Sequence, residues 1–194
     1  MRVLVACEYS GAVRQAFRDR GHEAWSCDLL PAEDESPYHY QCDVAEVLNL
    51  GWDLMIAFPP CDHLACSGAR WFEEKRKDGR QQMGIDFFMS LGDADIPKIA
   101  IENPVGIMST QWRKPDQIIQ PYHFGHEATK TTCLWLKNLP PLEPTNVVGK
   151  GERHITKSGR SLPAWYNLPP SPDRWKIRSR TFEGIARGMA EQWG

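Results

Sequence analysis

No stretch of about 18 consecutive apolar residues occurs in this 194-residue chain, which excludes a membrane-spanning helix of ordinary length. No signal peptide is expected either: Met1-Arg2-Val3-Leu4-Val5-Ala6 is short and lightly charged, and Cys7-Glu8 interrupts it at once. That segment reads instead as a buried strand, and a soluble cytoplasmic protein is the expectation. The six cysteines, at positions 7, 27, 42, 61, 66 and 133, form no regular framework. In a leaderless chain such cysteines are expected as free thiols in a reducing compartment. No internal repeat is present, which argues against a solenoid or propeller. Glycine is scarce where a nucleotide-binding turn would use it, with Gly11 alone between the first apolar run and the first amphipathic segment.

What is present is enough apolar sequence, 41% of residues, to bury an ordinary core in one domain spanning 1–194. The net charge of −2 is unevenly spread. Residues 150–180 hold eight basic side chains (Lys150, Arg153, Lys157, Arg160, Arg174, Lys176, Arg178 and Arg180) against Glu152 and Asp173, a net of +6 that leaves −8 on the rest. A basic stretch on an acidic body suits a phosphate-bearing partner, and it also suits a solvated loop.

The first half alternates short apolar runs with amphipathic segments, the pattern of βα units on a parallel sheet. Strands are predicted at Val3–Ala6, Ala24–Cys27, Leu54–Phe58 and Ile99–Ile101, and helices at Gly11–Arg20 and Met83–Leu91. Pro59-Pro60 stops the third strand. Beyond residue 110 prolines multiply and apolar runs shorten, as in Cys133–Leu136, until Phe182–Trp193 closes the chain as an amphipathic helix. The expected architecture is one α/β core with a Pro-rich, basic insertion at 139–176.

Ligands of open α/β sheets bind beyond the carboxyl ends of the strands, so the residues there carry the functional reading. Ser10-Gly11 opens a helix, as a ligand-facing turn or an ordinary one. Asp28 ends the second strand, where a carboxylate can accept both hydroxyls of a ribose. Asp43 is suited to reading an adenine amino group or to capping a helix over Val44–Leu48. Pro59-Pro60 presents Cys61 at the start of a helix or loop, where helix amides would lower its pKa toward neutrality; the alternative is a buried structural cysteine. Glu102, in Glu102-Asn103-Pro104, ends the fourth strand as an acid facing the same crevice or as a surface residue in a turn. A thiolate and an acid at adjacent strand ends suit conjugate addition to a pyrimidine: the sulfur attacks C6, the acid supports charge at N3, and C5 becomes nucleophilic.

In motif order and spacing the chain resembles the DNA cytosine-C5 methyltransferases. Val3–Gly11 stands for that family's first motif, Cys27-Asp28 for the second, Pro59-Pro60-Cys61 for its Pro-Cys motif and Glu102-Asn103-Pro104 for its Glu-Asn motif. The resemblance implies a Rossmann-like S-adenosylmethionine-dependent methyltransferase fold, an α/β architecture with a mostly parallel sheet and flanking helices. It implies cofactor contacts from Ser10, Gly11, Asp28 and Asp43, with Glu8, Tyr9 and Pro59 as neighbouring candidates. It also implies attack by Cys61 and base recognition by Glu102. Lys130, in Glu127–Thr132, takes the place of an arginine in a Gln-x-Arg-x-Arg motif that is absent here. Pro60, Asn103, Arg70, Thr131, Arg178 and Arg180 are candidate substrate contacts, Arg178 and Arg180 lying where the family's last motif would stand.

The interval Leu139–Lys176 is too short for the target-recognition domain of sequence-reading family members. That shortness favours a small substrate or loosely read DNA; the resemblance makes DNA cytosine the first expected acceptor, with a free pyrimidine nucleotide such as dCMP as the alternative. The polar segment Asp62–Gln82, with Arg70, Lys75, Arg76, Lys77 and Arg80, is a candidate mobile lid or a solvated helix start. Two rivals differ in kind. A zinc-dependent deaminase would require His-x-Glu and Pro-Cys-x-x-Cys, whereas His22-Glu23 lacks the spacer and Cys66 follows Cys61 at the wrong interval; Cys61, His63, Cys66 and Cys133 are its remaining candidate ligands. A non-catalytic DNA-binding relative would use Trp165, Tyr166 and Trp175 in the basic segment as a stacking platform. No metal is expected under the methyltransferase reading.

Overall fold

The computed structural model describes residues 1–194 throughout. Its main sheet has seven strands: β1 Arg2–Ala6, β2 Glu23–Asp28, β3 His39–Gln41, β4 Leu54–Ala57, β5 Lys98–Pro104, β6 Gln117–Ile119 and β7 Thr132–Lys137. They lie in the order β3-β2-β1-β4-β5-β7-β6. Strands β3, β2, β1, β4 and β5 run parallel, and β7 runs antiparallel to both of its neighbours. The order reverses at β1, which pairs with β2 on one side and β4 on the other, and a crevice opens there beyond the strand ends. This is the expected Rossmann-like α/β sheet.

The core follows from the period of two along a strand. Leu4, Ala6, Met55, Ala57, Ile99 and Ile101 point to one face and pack with Ile85, Phe88 and Leu91 of helix α3 (Arg80–Gly92; α2 is Phe72–Lys77). Val3, Val5, Leu54, Ile56 and Ala100 point to the other face. There they meet Val13 and Phe17 of α1 (Ala12–Arg18) and Ile185, Met189 and Trp193 of the closing helix α6 (Glu183–Trp193). α4 (Met108–Gln111) and α5 (Arg174–Ser179) complete the helices. Each large side chain buried on α6 contributes about 2 kcal/mol, and this holds a helix whose N-cap, Phe182, offers no capping side chain. The missing cap comes from elsewhere: the Gly184 amide donates to His126 Nε2 at 2.8 Å. Burial and the nearby Arg187 push the His126 pKa down, which favours the neutral ring this bond requires.

The four strands expected from the sequence are present, each longer or shorter by a few residues. β3, β6 and β7 are additions: β3 and β6, three residues each, form the two edges of the sheet, and β7 takes up the short apolar run Cys133–Leu136. The polar segment after Cys61 folds as a 3₁₀ turn over Cys66–Trp71 followed by α2 and the start of α3. It is tied to the end of β5 through Cys66 N–H to Val105 O. Within 139–176 a separate two-stranded sheet forms from β8 (Arg153–Ile155) and β9 (Ser161–Pro163). No helix is long and apolar enough to cross a membrane.

Candidate functional site

The first motif is built around Glu8. Its carboxylate is 4% exposed and accepts the amides of Val13 at 2.7 Å and Arg14 at 3.2 Å, closing the N-terminus of α1 from within. Burial raises the Glu8 pKa to about 7 against those bonds. The helix amides that would cradle a phosphate are therefore already taken, and Glu8 is a structural cap where cofactor contact was expected. Gly11 has a related explanation. At φ +72° it sits in the left-handed region, and an added Cβ would lie 2.2 Å from the guanidinium of Arg14. The glycine makes room for a buried arginine that donates to Ser26 Oγ at 3.0 Å and pairs with Asp34.

Three groups rim the crevice at the ends of β1 and β2. Asp28 holds its own turn, with Leu30 N–H to Oδ1 at 2.9 Å, and keeps a second carboxylate oxygen. Asp43 forms a capping box with Glu46, accepting Ala45 N–H at 2.9 Å, so of its two expected roles the cap is the one its bonds serve. Cys7 follows β1 within reach of both charges. Burial, then the charges of Asp28 and Asp43, push its thiol up to about 12. The rim is thus acidic, which suits a cationic, hydroxyl-bearing ligand better than a phosphate. Above it, the Tyr9 hydroxyl donates to Lys176 O at 3.3 Å and meets Ser179 Oγ at 3.3 Å, while its ring lies 5.6 Å from that of Trp175.

The second half of the crevice lies beyond β4 and β5, which pair in register through Ala57 and Ile101. Pro59 is buried and Pro60 exposed. Asn103, 1% exposed, donates from Nδ2 to Pro59 O at 2.9 Å, so it and Pro59 form a buried joint between the Pro-Pro-Cys loop and β5 where ligand contacts were expected. Cys61 is half-buried and starts a turn, its carbonyl accepting Leu64 and Ala65 N–H. The first helical residues come only at Cys66, so no helix N-terminus faces the sulfur. Burial first, then Asp62 and Glu102, push the Cys61 thiol above its ordinary value, with Lys130 opposing. This reverses the expected lowering.

Glu102 lies on β5, paired across the ladder with Leu134. Burial raises its carboxyl, opposed by the Lys130 charge and a hydrogen bond with Thr132. Lys130 acts on both Cys61 and Glu102. Its amine donates to Arg178 O at 3.0 Å and lies 5.8 Å from the Trp165 ring centre. A small cleft joins Glu102, Lys130 and Thr132 to Phe58, Thr181 and Phe182. The last three were not legible in the sequence, since nothing in an isolated phenylalanine or threonine marks it as lining a cleft.

The other candidates are distributed around this centre. Arg70 is exposed, its guanidinium 5.0 Å from the Trp71 ring centre, and it makes no bond to Cys61, Glu102 or Lys130. Thr131 Oγ1 accepts from Gln120 at 2.9 Å. Arg178 serves the centre through its carbonyl, and the Arg180 guanidinium pairs with Glu33, on the loop that bonds Tyr9 O. No group of three or more His, Cys, Asp or Glu side chains is placed to hold a metal ion, so Cys61, His63, Cys66 and Cys133 do not assemble the ligand set a zinc deaminase needs.

No family model and no curated protein matches the chain. One solved structure, a protein that bears the name DNA modification methyltransferase and is encoded within an E. coli prophage, superposes with a TM-score of 0.54 at 16% identity. The superposition covers 78% of this chain and 53% of the other, so this chain spans about half the length of that protein. At such identity the likeness shows the fold, and the fold is the Rossmann-like α/β sheet described above.

Proposed function

We propose that this protein is a methyltransferase that uses S-adenosylmethionine to methylate C5 of cytosine in DNA, with Cys61 as nucleophile. The observation that carries the reading is the convergence of a cysteine, a glutamic acid and a lysine at the ends of two adjacent parallel strands, locked together by the Asn103–Pro59 bond. The name of the prophage protein of like fold favours DNA as acceptor.

The acidic rim at Asp28 and Asp43 fits the cofactor. Asp28 retains a carboxylate oxygen for ribose hydroxyls, and both charges favour a sulfonium. When bound, the cofactor supplies an electrophilic methyl group. Everything else falls to the chain. Cys61 gives its proton to solvent and its sulfur adds to C6 of the ring. Because burial keeps Glu102 protonated to higher pH than an ordinary glutamate, it can hold a proton at N3 while electron density moves to C5. Once C5 carries the methyl group, the C5 proton passes to solvent, the sulfur–C6 bond breaks to restore the aromatic ring, and the proton at N3 returns to Glu102. Lys130 draws the pKa of both groups down, so it favours the thiolate that must form and limits how far Glu102 rises. The elevated Cys61 thiol implies that thiolate formation is coupled to base binding and does not precede it.

The test is covalent trapping. A duplex containing 5-fluorocytosine, incubated with labelled S-adenosylmethionine, should yield a stable protein–DNA adduct with the wild type. Cys61→Ser should yield none and lose transfer by about 10³-fold or more. Adduct formation by Cys61→Ser would overturn the mechanism; label transferred only to a mononucleotide would overturn the acceptor.

A further inference from the structure

Between Glu152 and Thr181 only Pro163 is buried, so the β8–β9 hairpin projects from the body with both faces largely open. Ile155 is 69% exposed and Leu162 37%, and the register puts them on opposite faces of the ribbon, since Ile155 faces Ser161 and His154 faces Leu162. A two-stranded ribbon with no packed face is marginal on its own in water. The hairpin is nevertheless well tied internally. Arg153 donates to Ser161 Oγ and O at 2.8 and 2.7 Å, and the tip is closed by Thr156 N–H to Arg160 O and Arg160 N–H to Thr156 Oγ1. Those bonds leave Lys157 and Arg160 at the tip, exposed and with no side-chain partner.

We infer that the β8–β9 hairpin is a duplex-DNA docking element that enters a groove tip first, with Lys157 and Arg160 on the flanking phosphates. Charge is the first argument: residues 150–180 carry +6 on a body of −8, so the phosphate backbone is drawn to this element and repelled elsewhere. Shape is the second. Two strands about 4.8 Å apart fit a major groove about 12 Å wide, and exposed Ile155 and Leu162 supply apolar contact inside it. Position is the third. The hairpin runs straight into the turn Ala164–Asn167, whose Trp165 packs on Phe182 at 5.0 Å and lies 5.8 Å from Lys130, so a duplex held by the hairpin is brought to the side of the cleft that holds Lys130 and Glu102. A single strand is the weaker fit. Of the aromatic rings it would stack on, Trp165 packs against Phe182 and Trp175 leans on Tyr9 with one side exposed, so no continuous run of open rings faces solvent.

This inference rests on DNA being the acceptor, and binding separates the two. Fluorescence anisotropy with a labelled duplex and a matching single strand, across a salt series, compares the wild type with Lys157→Ala/Arg160→Ala. Neither side chain touches the body, so the melting temperature and S-adenosylmethionine binding should stay unchanged. Duplex affinity should fall about 10- to 100-fold, and the slope of log affinity against log salt should shrink by about 2. Unchanged affinity and slope would overturn the proposal, as would tighter binding of the single strand than of the duplex by the wild type. Trapping on 5-fluorocytosine reports the catalytic reading separately, since loss of that adduct in the wild type would leave the duplex measurement standing.

Discussion

The sheet and the segment that follows it face the same crevice and are built on opposite principles. β1 and β4 are buried along nearly their whole length, and the residues just beyond them inherit fixed positions from that packing. Residues 152–181 bury almost nothing and hold their place through a few contacts: Tyr9 to Lys176 and Ser179, Lys130 to Arg178, Arg180 to Glu33. The first region can hold reacting groups in fixed geometry. The second can move, and carries the charge that recruits a partner. Stability and chemistry should therefore reside in one region and partner affinity in the other, so that substitutions separate them.

The largest separable effect should come from Glu102→Gln. Methyl transfer should fall by about 10²-fold or more, because an amide cannot deliver the proton at N3. The charge of Glu102 raises the Cys61 thiol, so its removal should speed alkylation of Cys61 by iodoacetamide in the same variant. Slower alkylation would mean that Glu102 does not face the sulfur.

A stability effect confined to the sheet region should follow from Glu8→Gln. The Glu8 pKa is about 7 in the folded protein against 4.5 unfolded. Its contribution is fully present below pH 4.5 and is lost as pH rises through 7, a decline of about 3 kcal/mol. The amide cannot titrate, so stability of the variant relative to wild type, from urea denaturation, should climb across that window. A constant difference would show that Glu8 does not titrate there.

The smallest effect should be that of Arg180→Ala. Its pair with Glu33 is more than a third exposed on both sides and is worth well under 1 kcal/mol. The melting temperature should barely change, while hydrogen exchange at α5 amides should quicken. A large loss of stability would break the contrast, since the segment would then be part of the core.

What could be read in advance divides along the same line. Period-two apolar runs and the prolines after β4 located four strands, and thus placed Glu8, Asp28, Cys61 and Glu102 at strand ends. The edge strands β3 and β6 were not legible, because three residues paired on one side make too short a run to show a strand pattern. The deepest misreading concerned charge state. Cys61 was expected at a helix start with a lowered pKa, yet the chain turns there and burial beside Asp62 and Glu102 raises it. Glu8, Gly11 and Asn103 each looked like ligand contacts, and each instead supports the fold through an amide, a neighbouring guanidinium or a loop carbonyl.

The sequence by itself determined the alternation of strands and helices, the residues at the strand ends and the basic character of 150–180, because these depend on local pattern and composition. Tertiary structure alone decided that Lys130, 28 residues beyond Glu102, shares a cleft with Glu102 and acts by its charge on Cys61, that His126 caps α6, and that the hairpin projects beside the cleft. Those facts depend on which distant backbones approach one another and on how much water their meeting removes, and neither quantity is written in any local stretch of residues.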